Sequence, residues 1–346
     1  MESDNGPNKR EAALSLLQHN VGFDIPELWV DYAIRHGFRR VKATRIVNCP
    51  DCGANARRSL GQFIYYSTLL RLVECDACGL AWADARLDPD VLIRHFESAY
   101  KDDAYFREAR RPIFQHLASL IDRIAPVRGN VLDIGGAKGH LMHMVTLKRP
   151  DLRVAVNDIS ESATKYATEQ FGIPTITGDV RVLQRGGTTY DVIILSDVLY
   201  YEPDITTMWS LLSRLVAHRG SVIIRVPNRF LLIRASQAIS TLFRSTRRRA
   251  MQTRIRFFNP EHLFVLSRRY LTTRLQRLGF EEVNCLPSPP LGSTSPLGNA
   301  ARVISFHAAG LASLVSKRRL VGTPSMILCA KYYRADRIDQ RGLRDA

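Results

Sequence analysis

The stretch Val131-Leu132-Asp133-Ile134-Gly135-Gly136-Ala137-Lys138-Gly139-His140 decides the fold. A short apolar run ends on a carboxylate and passes into a glycine-rich turn that opens a helical segment. Glycine lets a backbone come close to a ligand, and the first turn of a helix presents N–H groups that have no partner in the helix itself. Taken alone, such a turn suits a dinucleotide as well as any other nucleoside-bearing ligand.

Outward from this turn, short apolar runs alternate with amphipathic segments. NVLDIG, LRVAVND, DVIILSD and SVIIRVP each read as a buried parallel strand, with helical stretches such as GHLMHMVTLK and SATKYATEQF between them. That alternation predicts an α/β doubly wound, Rossmann-like sheet. The strand ends carry the chemistry. LRVAVND closes on Asp158, about 20 residues past the glycines, where a carboxylate can accept hydrogen bonds from two ribose hydroxyls. Thr177-Gly178-Asp179-Val180 ends the next β–α unit, and Asp179 there either meets an adenine amine or caps the following helix. The fourth strand leads through Ser196-Asp197-Val198-Leu199-Tyr200-Tyr201, and the fifth ends in Val226-Pro227-Asn228.

In order and spacing these segments resemble the successive motifs of class I S-adenosylmethionine-dependent methyltransferases, across residues 126–335. The resemblance implies a seven-stranded methyltransferase-type sheet and S-adenosylmethionine as cofactor. It places Asp133 and Gly135 against the methionine part, Asp158 against the ribose, and Asp179 with Val180 against the adenine. The full candidate cofactor set is Asp133, Gly135, Gly136, Gly139, Asp158, Ile159, Asp179, Val180 and Ser196. Two positions depart from the family pattern: Ala137 stands for the middle glycine of the turn, and Tyr201 stands for a histidine at the end of the fourth-strand motif. Phe258-Asn259-Pro260-Glu261-His262 resembles the segment in which a histidine faces the substrate cleft. His262, Tyr200 and Tyr201 are therefore the candidate catalytic residues: the imidazole as proton acceptor, because its pKa suits neutral pH better than a phenol's, and a tyrosine to orient the acceptor.

Ahead of this domain, Cys49-Pro50-Asp51-Cys52-Gly53 and Cys75-Asp76-Ala77-Cys78-Gly79 form two knuckles with 22 residues between them. A two-residue spacer lets both thiolates of a pair point at one ion, and the following glycine can take φ > 0 so that N–H groups face the sulfurs. Two pairs supply four sulfur ligands, the complement of a structural Zn2+ with no open coordination position. Together with Gly79-Leu80-Ala81-Trp82 and the segment after it, the knuckles resemble the zinc-ribbon leader of a subset of bacterial methyltransferases that modify sugars, lipids or secondary metabolites. The remaining cysteines, Cys285 and Cys329, sit in apolar runs and read as core.

The expected organisation is a helical lead-in at 1–46, the zinc ribbon at 47–84, a helical connector at 85–125, the methyltransferase domain at 126–335 with an arginine-rich lid insertion at 229–270, and a flexible tail at 336–346. With 45% hydrophobic residues the chain can bury a sizeable core. It shows no export signal and no apolar run of spanning length, so a cytoplasmic location is expected. The formal net charge is +16; residues 229–277 hold twelve arginines against one acid, Glu261. That points to an anionic partner. The reading favoured is an enzyme acting on a small-molecule, sugar or glycolipid acceptor, phosphorylated or lipid-linked. The alternatives are an RNA-modifying methyltransferase that uses the ribbon and basic patches, and a non-catalytic scaffold.

Overall fold

The computed structural model describes residues 43–65, 68–87, 108–230, 233, 262–292, 296–316 and 321–333. The expected lead-in before residue 43, residues 88–107 of the connector, residues 231–232 and 234–261 of the arginine-rich lid, including Arg247–Arg249, and the tail lie outside them. The chain divides into two compact units, Met1–Phe96 with Arg229–Ser267, and Glu97–Asn228 with Arg268–Ala346.

In the first unit, β1 (Ala43–Arg45) pairs antiparallel with β5 (Ala85–Leu87). A second, antiparallel sheet contains β2 (Arg57–Tyr65), β3 (Thr68–Cys75) and β4 (Ala81–Ala83), whose outer edge takes β11 (Phe264–Val265). Leu70, Leu72, Val73, Leu80 and Trp82 of this unit are buried. Asp84 anchors the ribbon: its carboxylate accepts from the Arg71 amide at 2.7 Å and pairs with Arg71 Nε at 2.8 Å and Arg45 Nη1 at 2.9 Å.

The second unit is built on one seven-stranded sheet, in the order β12 (Phe280–Pro287), β13 (Ser325–Tyr332), β10 (Val216–Pro227), β9 (Tyr190–Ser196), β6 (Asn130–Ile134), β7 (Arg153–Asp158), β8 (Thr175–Thr177). The strands β6 to β10 run parallel; β13 runs antiparallel to both β10 and β12. The expected seven-stranded methyltransferase-type architecture is what the chain adopts. Strands covered on both faces must be apolar almost throughout, and Val192 to Leu195 and Val222 to Ile224 are fully buried.

Helices complete the layers. Among them, α1 (Arg111–Ile124) and α2 (His140–Lys148) share a core in which Ile113, Leu117, Ile121 and Met142 meet Val131, Ile194 and Ile223. In α3 (Glu161–Phe171) the Ser160 hydroxyl caps the N-terminus by accepting from the Ala163 amide. In α4 (Ile205–Leu215), Asp204 does the same with the Thr207 amide, and Trp209 donates its indole N–H to the Tyr270 hydroxyl of α5 (Arg268–Arg277) at 3.0 Å. The last, α6 (Pro296–Val315), lies between β12 and β13. The strand order reverses at β6, which has β7 on one side and β9 on the other. Ligands of open α/β sheets bind outside the carboxyl ends of the strands at such a switch point.

Candidate functional site

The carboxyl end of β6 delivers Asp133 and then the glycine turn. The Gly135 and Gly136 amides both donate to the Asn157 carbonyl, at 2.7 and 3.1 Å, so the turn continues the β6–β7 ladder. A Cβ at Gly136 would lie 2.8 Å from Asp133 Oδ2, so only glycine lets the turn lie over that carboxylate. Gly139 then starts α2.

Asp158, at the end of β7, is 2% exposed and braces the turn. Its Oδ2 accepts from the Ala137 amide and its Oδ1 from the Ser160 amide, both at 2.9 Å. Ala137 holds a left-handed φ of 49°, and this hydrogen bond secures an alanine in a conformation more usual for glycine. Ile159, the next residue, is an apolar side chain left 52% exposed at the same edge. Asn157, buried to 1%, donates to the carbonyls of Ile176 and Gly178 and so ties β7 to the loop that carries Asp179. Asp179 caps the short 3-10 helix Val180–Arg185 through the Arg181 amide and pairs with the Arg181 guanidinium at 2.7 and 2.8 Å. Val180 is buried.

Asp133 is 2% exposed, and its Oδ1 makes no hydrogen bond. Burial pushes its carboxyl up to about 8; Arg110 opposes the rise and the nearby Asp158 adds to it. An orphaned buried oxygen beside a turn that requires glycine at position 136 suits the approach of a ligand. The donor set around it, with two carboxylates, a row of loop amides and an exposed isoleucine, fits the adenosyl and methionine groups of S-adenosylmethionine.

Beside Asp133 lies a charge cluster that no local motif announces. Asp197, directly after β9, takes a left-handed φ of 63°. Its Oδ2 pairs with Arg110 Nη2 at 2.6 Å and with Arg225 Nη1 of β10. Burial favours the neutral acid, but Arg225 and Arg110, with a hydrogen bond from Tyr200, hold the Asp197 carboxyl below its usual range. Arg225 Nε donates to the Ser288 hydroxyl at 2.8 Å, and Arg110 Nη2 reaches the Ser196 hydroxyl at 3.3 Å. All three charged side chains are at least 88% buried relative to full exposure, with side-chain exposures of 11%, 12% and 7% for Arg110, Asp197 and Arg225. Arg225 had one visible signal, a charge inside the otherwise apolar run SVIIRVP; Arg110 had none.

Tyr200 is 5% exposed and its phenol is pushed well above its ordinary range, by burial first and then by the Asp197 charge. Its ring lies 4.5 Å from that of Tyr201. Tyr200, Tyr201 and Ser196 thus gather with the arginine pair in the second unit. His262 belongs to the first unit, two residues before β11, where it is 5% exposed.

The four cysteines of the knuckles come together at the end of the ribbon sheet. Their sulfurs all lie within 4.8 Å of one another, with Cys49–Cys78 at 3.5 Å and Cys52–Cys75 at 3.6 Å. Four thiolates about 2.3 Å from a tetrahedral ion sit roughly 3.8 Å apart, so the cage fits Zn2+. Gly53 and Gly79 have φ of 74° and 78° with open space where a Cβ would be; backbone conformation alone requires glycine there. Their amides return to the Cys49 and Cys75 carbonyls at 2.9 and 3.0 Å and close each knuckle. Among the described residues this is the only metal-ligand cluster, and its four thiolates would leave the ion no open position for catalysis.

A family model described as a methyltransferase domain matches residues 105–284. A search of curated proteins finds no match. Solved structures similar to the chain include a SAM-dependent methyltransferase from Archaeoglobus fulgidus, at 18% identity over 67% of this chain and 99% of that one, TM-score 0.44. The N-methyltransferase NodS from Bradyrhizobium japonicum WM9, in complex with S-adenosyl-L-homocysteine, matches at 16% identity over 70% and 99%, TM-score 0.44. A TehB-like SAM-dependent methyltransferase from Corynebacterium glutamicum matches at 15% identity over 71% and 100%, TM-score 0.40. The family match spans more than half of the chain and takes in β6 through β10 entire; on it, the chain belongs to the methyltransferase-domain family and is an S-adenosylmethionine-dependent methyltransferase.

Proposed function

We propose that the enzyme methylates an anionic small-molecule, sugar or glycolipid acceptor. The observation that carries this reading is the buried pair Arg110 and Arg225 sharing the single carboxylate of Asp197 at the ligand edge of the sheet. Both guanidiniums stand at the edge where the acceptor would approach, beside an Asp133 carboxyl raised to about 8. Buried guanidiniums recognise a carboxylate or phosphate through charge-assisted forks.

S-adenosylmethionine supplies the activated methyl group. For the chain's own residues we assign the following parts. Asp133, with Gly135, Gly136 and Gly139, holds the methionine end. Asp158 receives the ribose hydroxyls on its carboxylate. Ile159, Val180 and Asp179 frame the adenine, and Ser196 closes the site beside the arginines. Tyr200 and Tyr201 position the acceptor, and His262 takes up its proton. Placement of the nucleophile in line with the methyl group, in a site from which water is excluded, supplies much of the rate.

The test is Arg225→Gln, read on protein whose melting curve shows that it folds. Purified wild-type enzyme, incubated with labelled cofactor and fractionated cell extract, first yields the methylated product by mass. The variant is expected to raise KM for that acceptor at least tenfold and to leave the calorimetric Kd for S-adenosylmethionine within twofold. Loss of cofactor affinity with an unchanged acceptor KM would assign the arginines to the methionine carboxylate and overturn the anionic-acceptor reading.

A further inference from the structure

Neighbouring antiparallel strands can be joined by a two-residue hairpin. β12 and β13 are such neighbours, yet residues 288–324 separate them, and α6 is the body of that excursion. The excursion leaves from the carboxyl end of β12, which runs in the same direction as β6 and β7. It therefore rises from the edge of the sheet that carries Asp133 and Asp158.

The helix turns most of its aliphatic side chains outward. On its docked side Arg302 donates to the Leu291 and Gly292 carbonyls at 2.7 and 2.9 Å, Ser313 is 2% exposed, and Phe306 meets the His116 ring edge-on. Its outer side carries Leu297, Val303, Ile304, Leu311, Leu314 and Val315, exposed by between 52% and 82%. At 3.6 residues per turn these six fall within an arc of about 120°. The arc contains no acid and no lysine or arginine. No helix among the described residues is long and apolar enough to cross a membrane. An apolar stripe of this size on a water-exposed helix marks a surface that something covers.

We propose that α6 is an interfacial helix that seats the ligand edge of the catalytic unit on an anionic lipid bilayer. Charge decides the occupant. The sequence continues directly from the helix into Lys317-Arg318-Arg319, and the whole chain carries +16. A membrane with anionic headgroups attracts that charge while its acyl boundary takes the stripe. A second copy of the chain, also at +16, is repelled. The inference is independent of which acceptor is methylated.

The experiment uses the full-length chain and vesicle co-sedimentation. Expected are binding to equimolar phosphatidylglycerol/phosphatidylcholine vesicles, weaker binding to phosphatidylcholine alone, and a drop of at least tenfold for Ile304→Glu/Leu311→Glu. Lys317→Gln/Arg318→Gln/Arg319→Gln removes the positive charge that follows the helix in the sequence. It is expected to lower binding to the anionic vesicles about a hundredfold, at roughly 1 kcal/mol per basic residue, and to leave binding to phosphatidylcholine alone unchanged. Retained S-adenosylmethionine affinity shows that each variant is folded. Failure of the wild-type chain to bind either vesicle, or binding that ignores both variants, overturns the proposal. So does a wild-type dimer that the Ile304→Glu/Leu311→Glu chain loses in sedimentation velocity, which would make a second copy the occupant.

Discussion

Asp133 shows how one side chain links stability to ligand binding. Its carboxyl titrates near 8 when folded, through burial, against about 3.9 in an unfolded chain. Between these values the folded state keeps a proton that the unfolded state has lost. Stability without cofactor therefore falls as pH rises from about 4 to 8 and levels off above. Asp133→Asn, which carries no titrating proton, is expected to flatten this slope, with a higher melting temperature than wild type at pH 8 and little difference at pH 4.5. Equal slopes in the two proteins would mean that the carboxyl is not held protonated. His262 is tested on the other side of the reaction. His262→Ala is expected to lower kcat by about a hundredfold or more while cofactor affinity holds, the usual scale for loss of a proton acceptor; unchanged turnover removes it from the mechanism. At this scale much of the site was legible, because Asp133, Asp158 and the glycine turn are adjacent to strand ends that their own apolar runs reveal. Arg110 and Asn157 were not. Arg110 pairs with Asp197 across 87 positions of sequence, and Asn157 differs from any other strand-end amide only in the loop it reaches.

Each element's visibility follows from how its pattern arises. β6, β9 and β10 carry continuous apolar runs because both faces are covered, and the runs survive in the sequence as plain signals. β8 has three residues, none fully buried, and left only the Gly178-Asp179 turn to mark it. β11 has two residues, and its pairing with β4 reaches from Phe264 back to Trp82; no local period encodes that. The knuckles were the most explicit feature, since ligand spacing, glycine conformation and metal count are one constraint written twice. The protein is expected to purify with zinc bound at one equivalent per chain, and Cys75→Ser is expected to reduce this to near zero by atomic emission. Stoichiometric zinc retained by Cys75→Ser would show that the four sulfurs do not form one site. Structural zinc supplies folding free energy directly, so the same variant should lose the ribbon's amide protection in hydrogen exchange.

For the molecule as a whole, charge is the governing quantity. Salt at about 0.5 M shortens the screening distance to a few ångströms and weakens attraction between exposed charges far more than between buried ones. Raising salt from about 0.05 to 0.5 M is expected to slow association of an anionic acceptor, seen as a higher KM with kcat nearly constant, and to leave a neutral analogue unaffected. A neutral analogue with the same salt response would place the effect on the enzyme's own fold. Fold class was legible at this scale because alternation of strands and helices admits few right-handed topologies; the return of residues 229–267 to the first unit has no local signal, since it joins segments far apart in sequence.

That division has a bearing on biosynthesis. A ribosome delivers the knuckles and β2 to β4 early, but the strand that closes their outer edge, Phe264–Val265, follows only after β6 to β10 have been made. Until then the β4 edge offers unpaired amides and carbonyls to any passing strand. A nascent chain stalled in the arginine-rich stretch would hold its metal ligands and yet remain adhesive, so the last turn of translation before residue 264 is the interval in which a chaperone matters most.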